Sequence, residues 1–431
     1  MRETREKVEV EKMKRESLAA VHTHTHTHTS SFSEQIKNEK AITLVALVVT
    51  IIVLIILAGV SISLVIGNNG IMQKAAKGRE DYTGAAINEQ LDLNKIEDYI
   101  EDNTSNKSEI EKYRKSGKYF ESPTTIKDEN ENEIKIPQGF KIAADSGLNV
   151  TEGIVIEDND IIEGIGNNRG NQYVWIPVGN EIKKNDGTTI NITLGRYEFA
   201  SDGTPILKQD AANYTQEVII NLYYKELATS RAGVASDGLD GLNTTALDLK
   251  GFVDSVKANG GYYIARYEAS YGTDGKANSK VSNSYSTSNR PNKEGQLWNY
   301  ITQINAATAS RDLYTGVNSD LINSYAWDTA IVYIQNFSGD TDYSRQTSLN
   351  KSLANTGVNS DEKCKINDMA SNTWEWTTEY SIGSNNGRVL PCTYRGGGYD
   401  DNDSVYYTKN RGSTISTGSN KYFSFRCSLY M

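Results

Sequence analysis

The sequence has few of the residues on which many catalytic and metal sites depend. It contains three cysteines, none of them in a C-x-x-C pair, and four histidines, all at or before residue 28. The missing C-x-x-C pairs exclude a zinc ribbon, and the remaining chain lacks the histidine base that most hydrolases use. The net charge of −10 argues against a nucleic-acid partner, which requires a basic face.

Long apolar runs are absent with one exception, Ile42–Ile66, which holds 25 residues without a charge. At ~1.5 Å per residue this run exceeds a hydrocarbon core of roughly 30 Å, so it predicts a single transmembrane helix. A secretory signal has a shorter apolar region, although the small residues Ala58, Gly59 and Ser61 leave a cleaved signal as the alternative. Lysines and arginines are nearly balanced around the run, so charge does not orient it.

The composition changes several times along the chain and predicts five segments. The first is a leader in which four histidines alternate with threonine. These histidines either share one metal-binding face of an extended strand or belong to a low-complexity tail. The segments are a leader at 1–41, the membrane helix at 42–66, a helical extension at 67–102, a linker with a small β-rich segment at 103–165, and a large domain at 166–431.

Short β-like runs and a few helical patterns alternate beyond residue 118, which predicts a mixed α+β domain rich in loops. The predicted strands are Glu133–Ile136, Ile154–Glu157, Tyr173–Val178, Ile190–Leu194, Val218–Tyr224 and Tyr262–Tyr267. The predicted helices are Leu247–Ala258, Gln296–Ala307 and Ser324–Gln335. Near the end of the chain, Cys364, Cys392 and Cys427 form either one disulfide with one free thiol or three buried thiols.

The start of the apolar run resembles the N-terminus of type IV prepilin-like proteins. In Lys40–Leu47, Ala41 occupies the position after which a prepilin peptidase cuts, so the resemblance implies cleavage between Ala41 and Ile42. It also implies a cytoplasmic leader and an extracellular C-terminal domain, held by one pass through the cell membrane. Two residues depart from the pattern: Ala41 replaces the usual Gly, and Ala46 replaces the Glu that aids pilus assembly.

The C-terminal part resembles the formylglycine-generating enzyme (sulfatase-modifying factor) family, whose fold is related to C-type lectins. The resemblance rests on five motifs: Tyr173–Val178 (YVWIPV), Ile264–Glu268 (IARYE), Asn367–Thr377 (NDMASNTWEWT), Arg395–Tyr399 (RGGGY) and Phe425-Arg426. It implies a structural calcium site formed by the side chains of Asp368 and Glu375 and the carbonyls of Ser371 and Thr373. A metal-free, hydrogen-bonded loop is the alternative.

The same resemblance argues against catalysis. The cysteine pair of the enzymes aligns with about Asp403 and Thr408, and neither can replace a thiolate nucleophile or a copper ligand. We therefore expect no enzyme activity and no catalytic cofactor. From the residues alone, Trp374 and Trp376 are expected in the core, and Arg395, Arg411 and Arg426 are expected to pair with Glu375 or Glu379.

A surface for binding is the function that remains. More than half of the residues from Tyr399 to Tyr422 are Tyr, Asp, Asn or Ser, the composition of adaptable binding loops. The family also includes retroelement-diversified binding proteins enriched in these residues. The expected ligand contacts are Tyr399, Asp401, Tyr406, Tyr407 and Asn410. The sequence thus predicts a surface-displayed adhesin or receptor for an extracellular protein or glycan. The alternatives are a minor pilin-like subunit and an active formylglycine-generating enzyme.

Overall fold

The computed structural model describes residues 49–58, scattered positions between 74 and 93, and most of 108–431. The gaps in this last part are 160–169, 212–216, 220–223, 228–245, 273, 350, 359–360, 386 and 401–406. The chain divides into two units, Met1–Tyr99 and Ile100–Met431.

The first unit contains a helical segment at 49–58 whose apolar side chains are exposed. Among the described residues, no helix has both the length and the apolar character needed to cross a membrane. The rest of the predicted span, 42–48 and 59–66, lies outside the described residues, as does the predicted cleavage position at Ala41 and Ile42. Most of the predicted extension at 67–102 also lies outside them.

The second unit begins with a helix where the polar composition predicted a linker. The Ser108 hydroxyl accepts a hydrogen bond from the Glu111 amide, and Gly117 closes the other end in the left-handed conformation. Acidic residues in the first turn and basic residues in the last complement the helix dipole. The helices are α1 (Glu109–Ser116), α2 (Leu249–Asn259), α3 (Gln303–Ser310) and α4 (Ser324–Phe337), with a 3₁₀ turn at Tyr343–Arg345.

The strands of the second unit form two larger sheets and several hairpins. The first sheet has the antiparallel order β15-β24-β12-β5-β4-β3, and the second has the order β10-β11-β18-β21-β22, with β23 parallel to β18. The first twelve strands are β1 (Thr124–Lys127), β2 (Glu133–Ile136), β3 (Phe140–Ile142), β4 (Val155–Asp158), β5 (Gln172–Pro177), β6 (Gly179–Lys183), β7 (Thr189–Ile192), β8 (Gly195–Phe199), β9 (Pro205–Asp210), β10 (Glu217–Ile219), β11 (Tyr224–Leu227) and β12 (Gly261–Ala265). The others are β13 (Ser270–Tyr271), β14 (Ala277–Asn278), β15 (Asn318–Leu321), β16 (Glu362–Lys363), β17 (Ile366–Asn367), β18 (Trp374–Ser381), β19 (Ser384–Asn385), β20 (Arg388–Val389), β21 (Cys392–Arg395), β22 (Arg411–Thr414), β23 (Phe423–Phe425) and β24 (Cys427–Tyr430).

Helix α4 lies at the centre of the core. All of its residues except Asn336 are buried, and it packs against β5 of the first sheet and β18 of the second. Strands β5 and β12 are buried on both faces, which explains why their sequences are continuous apolar and aromatic runs instead of alternating patterns. Helix α2 covers β12.

The α+β class is confirmed, and several predicted elements need correction. The run Val218–Tyr224 is two antiparallel strands, β10 and β11, so the chain reverses between them. Helix α3 begins at Gln303 and not at Gln296, because residues 297–300 instead make backbone contacts with the loops at 269, 284 and 420. Strand β4 pairs with β5 across the predicted boundary at 165, so β3 and β4 of the β-rich segment belong to the same sheet as the large domain, whereas β1 and β2 form a separate hairpin.

Two adjacent glycines at the start of β12 differ in how closely other atoms pack against them. A Cβ at Gly261 would lie 2.4 Å from the Trp175 ring and 2.5 Å from the Ile176 carbonyl oxygen, whereas at Gly260 it would meet only the Val178 carbonyl, at 3.8 Å. Gly261→Ala should therefore lower the unfolding free energy by about 3 kcal/mol. Gly260→Ala should cost only about 1 kcal/mol, the strain of its left-handed backbone.

Urea unfolding followed by tryptophan fluorescence would measure both variants. All five tryptophans lie in the second unit, so the signal reports on that unit alone. Equal losses at the two positions would contradict this close packing.

Candidate functional site

Five buried charged side chains connect α4 to three strands of the second sheet and to β8. Glu379 accepts hydrogen bonds from Arg196 (2.5 Å), Arg395 (3.2 Å) and Arg411 (2.8 Å). Asp328 accepts from Arg395 and Arg411, both at 2.5 Å. We call these five residues the charge network. The predicted pairing of Arg395 and Arg411 with Glu379 is confirmed, and Asp328 is a partner that the sequence analysis missed.

Electrostatics in the charge network favour the ionised form of Glu379. Burial alone would raise the pKa of Glu379, but the three guanidinium groups hold it well below its usual range. Breaking such a buried pair by removing one partner costs about 3–5 kcal/mol, because the other charge is left uncompensated. The network therefore fixes the positions of β18, β21 and β22 relative to α4.

Glu226 on β11 is a buried carboxyl group close to Glu379, but its pKa is shifted in the opposite direction. It accepts from the Ser324 amide (2.9 Å) and hydroxyl (2.8 Å) at the start of α4, and from the Thr378 hydroxyl (2.5 Å). Complete burial and the charge of Glu379 raise the pKa of Glu226 to about 7.

A row of aromatic rings runs across the second sheet. Parallel pairing of β23 with β18 places Phe423 beside Trp374, and antiparallel pairing of β21 places Tyr394 opposite Trp376. Trp376 stacks on Phe423 at 4.3 Å between ring centroids, and Trp374 stacks on Tyr394 at 5.0 Å. The aromatic row consists of Trp376, Phe423, Tyr394, Trp374, Tyr422 and Tyr399.

The row begins in the core and ends at the surface. Trp376 is fully buried, and its indole donates to the Ile301 carbonyl at 2.9 Å. Trp374, Tyr394 and Tyr422 are only half-buried. The core prediction is thus confirmed for Trp376, whereas Trp374 is a partly exposed ring.

The outer end of the row is held by polar contacts. Tyr422 stacks on Tyr399 at 5.4 Å, and its hydroxyl donates to the Asp400 carboxylate at 3.0 Å. The Lys421 ammonium lies 4.9 Å from the Tyr422 ring centroid and 5.6 Å from that of Tyr399. Together these groups form an aromatic stack flanked by one positive and one negative charge.

The predicted ligand-binding residues divide into three groups. Tyr399 belongs to the aromatic row, although it is only 6% exposed and packs on Leu297 and Leu353. Tyr407 and Asn410 are half-buried, and the Asn410 carbonyl accepts from Arg395 of the charge network at 3.0 Å. Asp401 and Tyr406 lie outside the described residues.

Sequence reasoning missed three members of this surface: Trp374, Lys421 and Tyr422. Trp374 was assigned to the core from the alternation of the two tryptophans. Lys421 and Tyr422 are the last two residues of the tyrosine-rich segment. Nothing in the local sequence indicated that the parallel pairing of β23 with β18 brings them next to Trp374. The Tyr422 carbonyl accepts from the Trp374 amide at 2.8 Å, which fixes this neighbourhood.

The predicted calcium ligands lie on one buried loop. Both oxygens of Glu375 accept from Arg426, at 2.5 and 2.6 Å, while Asp368 accepts from the Gly357 amide (2.8 Å) and the Thr356 hydroxyl (3.1 Å). Burial comes first among the causes that raise the pKa of Glu375, and the charge of Asp368 adds to it.

The side chains of Ser371 and Thr373 are also engaged. The Ser371 hydroxyl donates to Asp361 at 3.0 Å, and the amide and hydroxyl of Thr373 donate to Glu268. In this arrangement the ligand set does not fit a calcium ion, because a guanidinium already occupies Glu375. The calcium site stays a prediction that requires Arg426 to leave Glu375.

The positions aligned with the catalytic cysteine pair carry no thiol. Asp403 lies outside the described residues, and Thr408 is fully buried, with its amide and hydroxyl both donating to the Gln346 carbonyl (3.0 and 3.2 Å). The three cysteines are free thiols, which excludes the alternative with a disulfide; Cys392 and Cys427 are buried as the other alternative predicted, whereas Cys364 is half-buried. Burial raises the pKa of Cys364 and of Cys427 to about 12, so neither is a ready nucleophile.

Comparison with known proteins gives little similarity. No family model matches the chain, and no curated protein matches it. The crystal structure of CarF is 13% identical with a TM-score of 0.28, over 40% of this chain and 87% of its own. The structure of PvdO from Pseudomonas aeruginosa is 8% identical with a TM-score of 0.31, over 61% of this chain and 95% of its own. Both TM-scores are low, and neither likeness carries a conclusion about this chain.

The raised pKa of Glu226 predicts a specific dependence of stability on pH. In the unfolded chain this carboxyl ionises near 4.5, and in the folded protein near 7. Between these values the folded state binds more protons, so its stability falls as pH rises, and the loss is complete above about pH 7. Glu226→Gln should therefore match the parent protein at about pH 5 and exceed its unfolding free energy by about 3 kcal/mol at about pH 8.

Urea unfolding at the two pH values would measure this difference. Glu133→Gln, at an exposed carboxylate on β2, is the matched control and should follow the parent protein at both. A Glu226→Gln variant that differs from the parent by the same amount at both pH values would refute the raised pKa.

Proposed function

We propose that this chain is a non-catalytic binding protein displayed at the cell surface, an adhesin or receptor of the lectin-like kind. Its binding surface is the outer end of the aromatic row, formed by Trp374, Tyr422 and Tyr399 with Lys421 and Asp400. The ligand is an extracellular glycan or protein. The observation that carries the proposal is the pair of partly exposed rings of Trp374 and Tyr422, which pack on the buried Tyr399 and on the core end of the aromatic row.

The chemistry of this surface supports the proposal. Aromatic rings offer large, rigid contact areas at low entropic cost, and their faces pack against the C–H groups of sugars or against apolar side chains. The Lys421 ammonium and the Asp400 carboxylate add directional contacts at the edges. Because Trp376 and Phe423 anchor the row in the core, little order has to be gained on binding.

The environments of Thr408, Cys364 and Cys427 support a binding function over an enzymatic one. At the aligned position Thr408 is engaged in buried hydrogen bonds, and the burial of Cys364 and Cys427 disfavours their thiolates. An active formylglycine-generating enzyme is therefore the weaker alternative. Conversion of a substrate cysteine to formylglycine by the purified protein would reverse this ranking.

The anchor is part of the proposal. We infer from the apolar run Ile42–Ile66 and the prepilin-like residues around Ala41 that the chain crosses the cell membrane once, with its large domain outside, and that a prepilin peptidase acts on it. The same leader favours a minor pilin-like subunit as the second candidate. Ala46 argues against it, because the assembly glutamate is missing. Isolation of pili that contain this chain would favour the subunit.

The surface can be tested with single substitutions in full-length, detergent-solubilised protein. Binding would be screened on a glycan array and on intact bacterial and host cells, and the affinity for the best binder would then be measured. Tyr422→Ala should weaken binding about tenfold or more, because central aromatic contacts carry most of the energy of an interface. Lys421→Ala should weaken it less.

Tyr285→Ala is the matched control, since Tyr285 is an exposed tyrosine outside the aromatic row. It should bind as the parent protein does. Unchanged binding by Tyr422→Ala, with unfolding like the parent's, would show that the ligand binds elsewhere. Repeating the assay with about 1 mM calcium, the range of extracellular calcium modules, would also test the predicted ion.

A further inference from the structure

A cleft of about 630 Å³ opens on the second unit between the loop that follows β3 and the β16–β17 hairpin. Its volume is typical of sites for small ligands. Its walls carry charges of both signs: Asp145, Glu152 and Glu362 are acidic, and Arg114 and Lys365 are basic. Nothing in the proposed surface function uses this cleft.

Two of the acidic residues of the cleft are held in place by a buried arginine. Arg266 is buried and donates to one oxygen of Asp145 (2.6 Å) and one oxygen of Glu362 (3.3 Å). The side chains of these two carboxylates are 54% and 42% exposed. Each is thus positioned by a buried cation while it keeps its other oxygen for a further donor.

One of the two basic residues of the cleft, Lys365, lies in a constrained turn. Cys364 and Lys365 connect β16 to β17 with φ angles of 47° and 65°, a left-handed conformation that side chains other than glycine rarely adopt. Gly153 lets this turn pack directly on the opposite loop, because a Cβ there would lie 2.2 Å from the Cys364 carbonyl oxygen. Within the part of the chain that the structure describes, Lys365 forms no ion pair, whereas Arg114 donates to the Ser146 carbonyl (2.9 Å).

The arrangement favours a ligand with two separate charges over a single ion. Among the described residues, no three acidic, histidine or cysteine side chains are close enough to hold a metal ion. An ammonium group would be bound by Asp145 and Glu362, and a carboxylate by Lys365. We propose that this cleft binds a short zwitterionic peptide, with its N-terminus at Asp145 and Glu362 and its C-terminus at Lys365.

Calorimetric titration of full-length protein with alanyl-alanine would test this. The dipeptide should bind, and N-acetyl-alanyl-alanine, which lacks the ammonium, and alanyl-alanine amide, which lacks the carboxylate, should each bind about tenfold more weakly. Free alanine, with its two charges closer together, should bind more weakly than the dipeptide. No measurable binding of the dipeptide, or equal binding of the two blocked forms, would overturn the proposal.

Substitutions would locate the peptide in the cleft. Lys365→Ala should weaken dipeptide binding about tenfold and abolish the preference for the free carboxylate over the amide. Lys363→Ala is the matched control on the same hairpin, because the Lys363 ammonium pairs with Asp340 at 2.9 Å and does not line the cleft. Tryptophan fluorescence would confirm that both variants are folded. Equal dipeptide binding by both variants would exclude this orientation.

Discussion

The charge network is the constraint on which the rest of the second unit depends. Asp328 lies on α4, Glu379 on β18, and their guanidinium partners on β8, β21 and β22. Buried ionic groups are tolerated only when every charge is paired, so these five elements have to assemble together. The arrangement also sets the register of β21 and β22, from which the aromatic row continues outward. The proposed binding surface therefore depends on a network of buried charges.

Much of the fold could be predicted where periodicity and propensity agree. The strand at Glu133–Ile136 has the predicted bounds, and α4 and the strands around Trp175 and Tyr263 lie where their apolar runs predicted them. Helix α1 was missed because its stability comes from Ser108 and Gly117 at its ends, in a segment whose composition is that of a linker. The reversal between β10 and β11 was missed because both strands continue one apolar run.

The candidate site was predictable only in part, since it is assembled from residues distant in sequence. Glu379 and Arg196 are 183 residues apart, and Glu226 and Thr378 are 152 apart. A motif identifies such residues one at a time, but it does not identify their partners. The tyrosine-rich segment contains Tyr399, Lys421 and Tyr422, but only the parallel pairing of β23 with β18 brings the last two next to Trp374. Trp374 was misassigned because alternation along a strand does not reveal which of its two ends is open to solvent.

The same long-range contacts hold Thr408, one of the two positions aligned above with a cysteine pair. A reactive thiol needs access and a stabilised anion, whereas Thr408 is fully buried and its carbonyl accepts from the Trp327 indole of α4 at 3.2 Å. With its amide and hydroxyl both bonded to Gln346, this residue ties the chain before β22 to the core. Thr408 thus has a structural role in this fold.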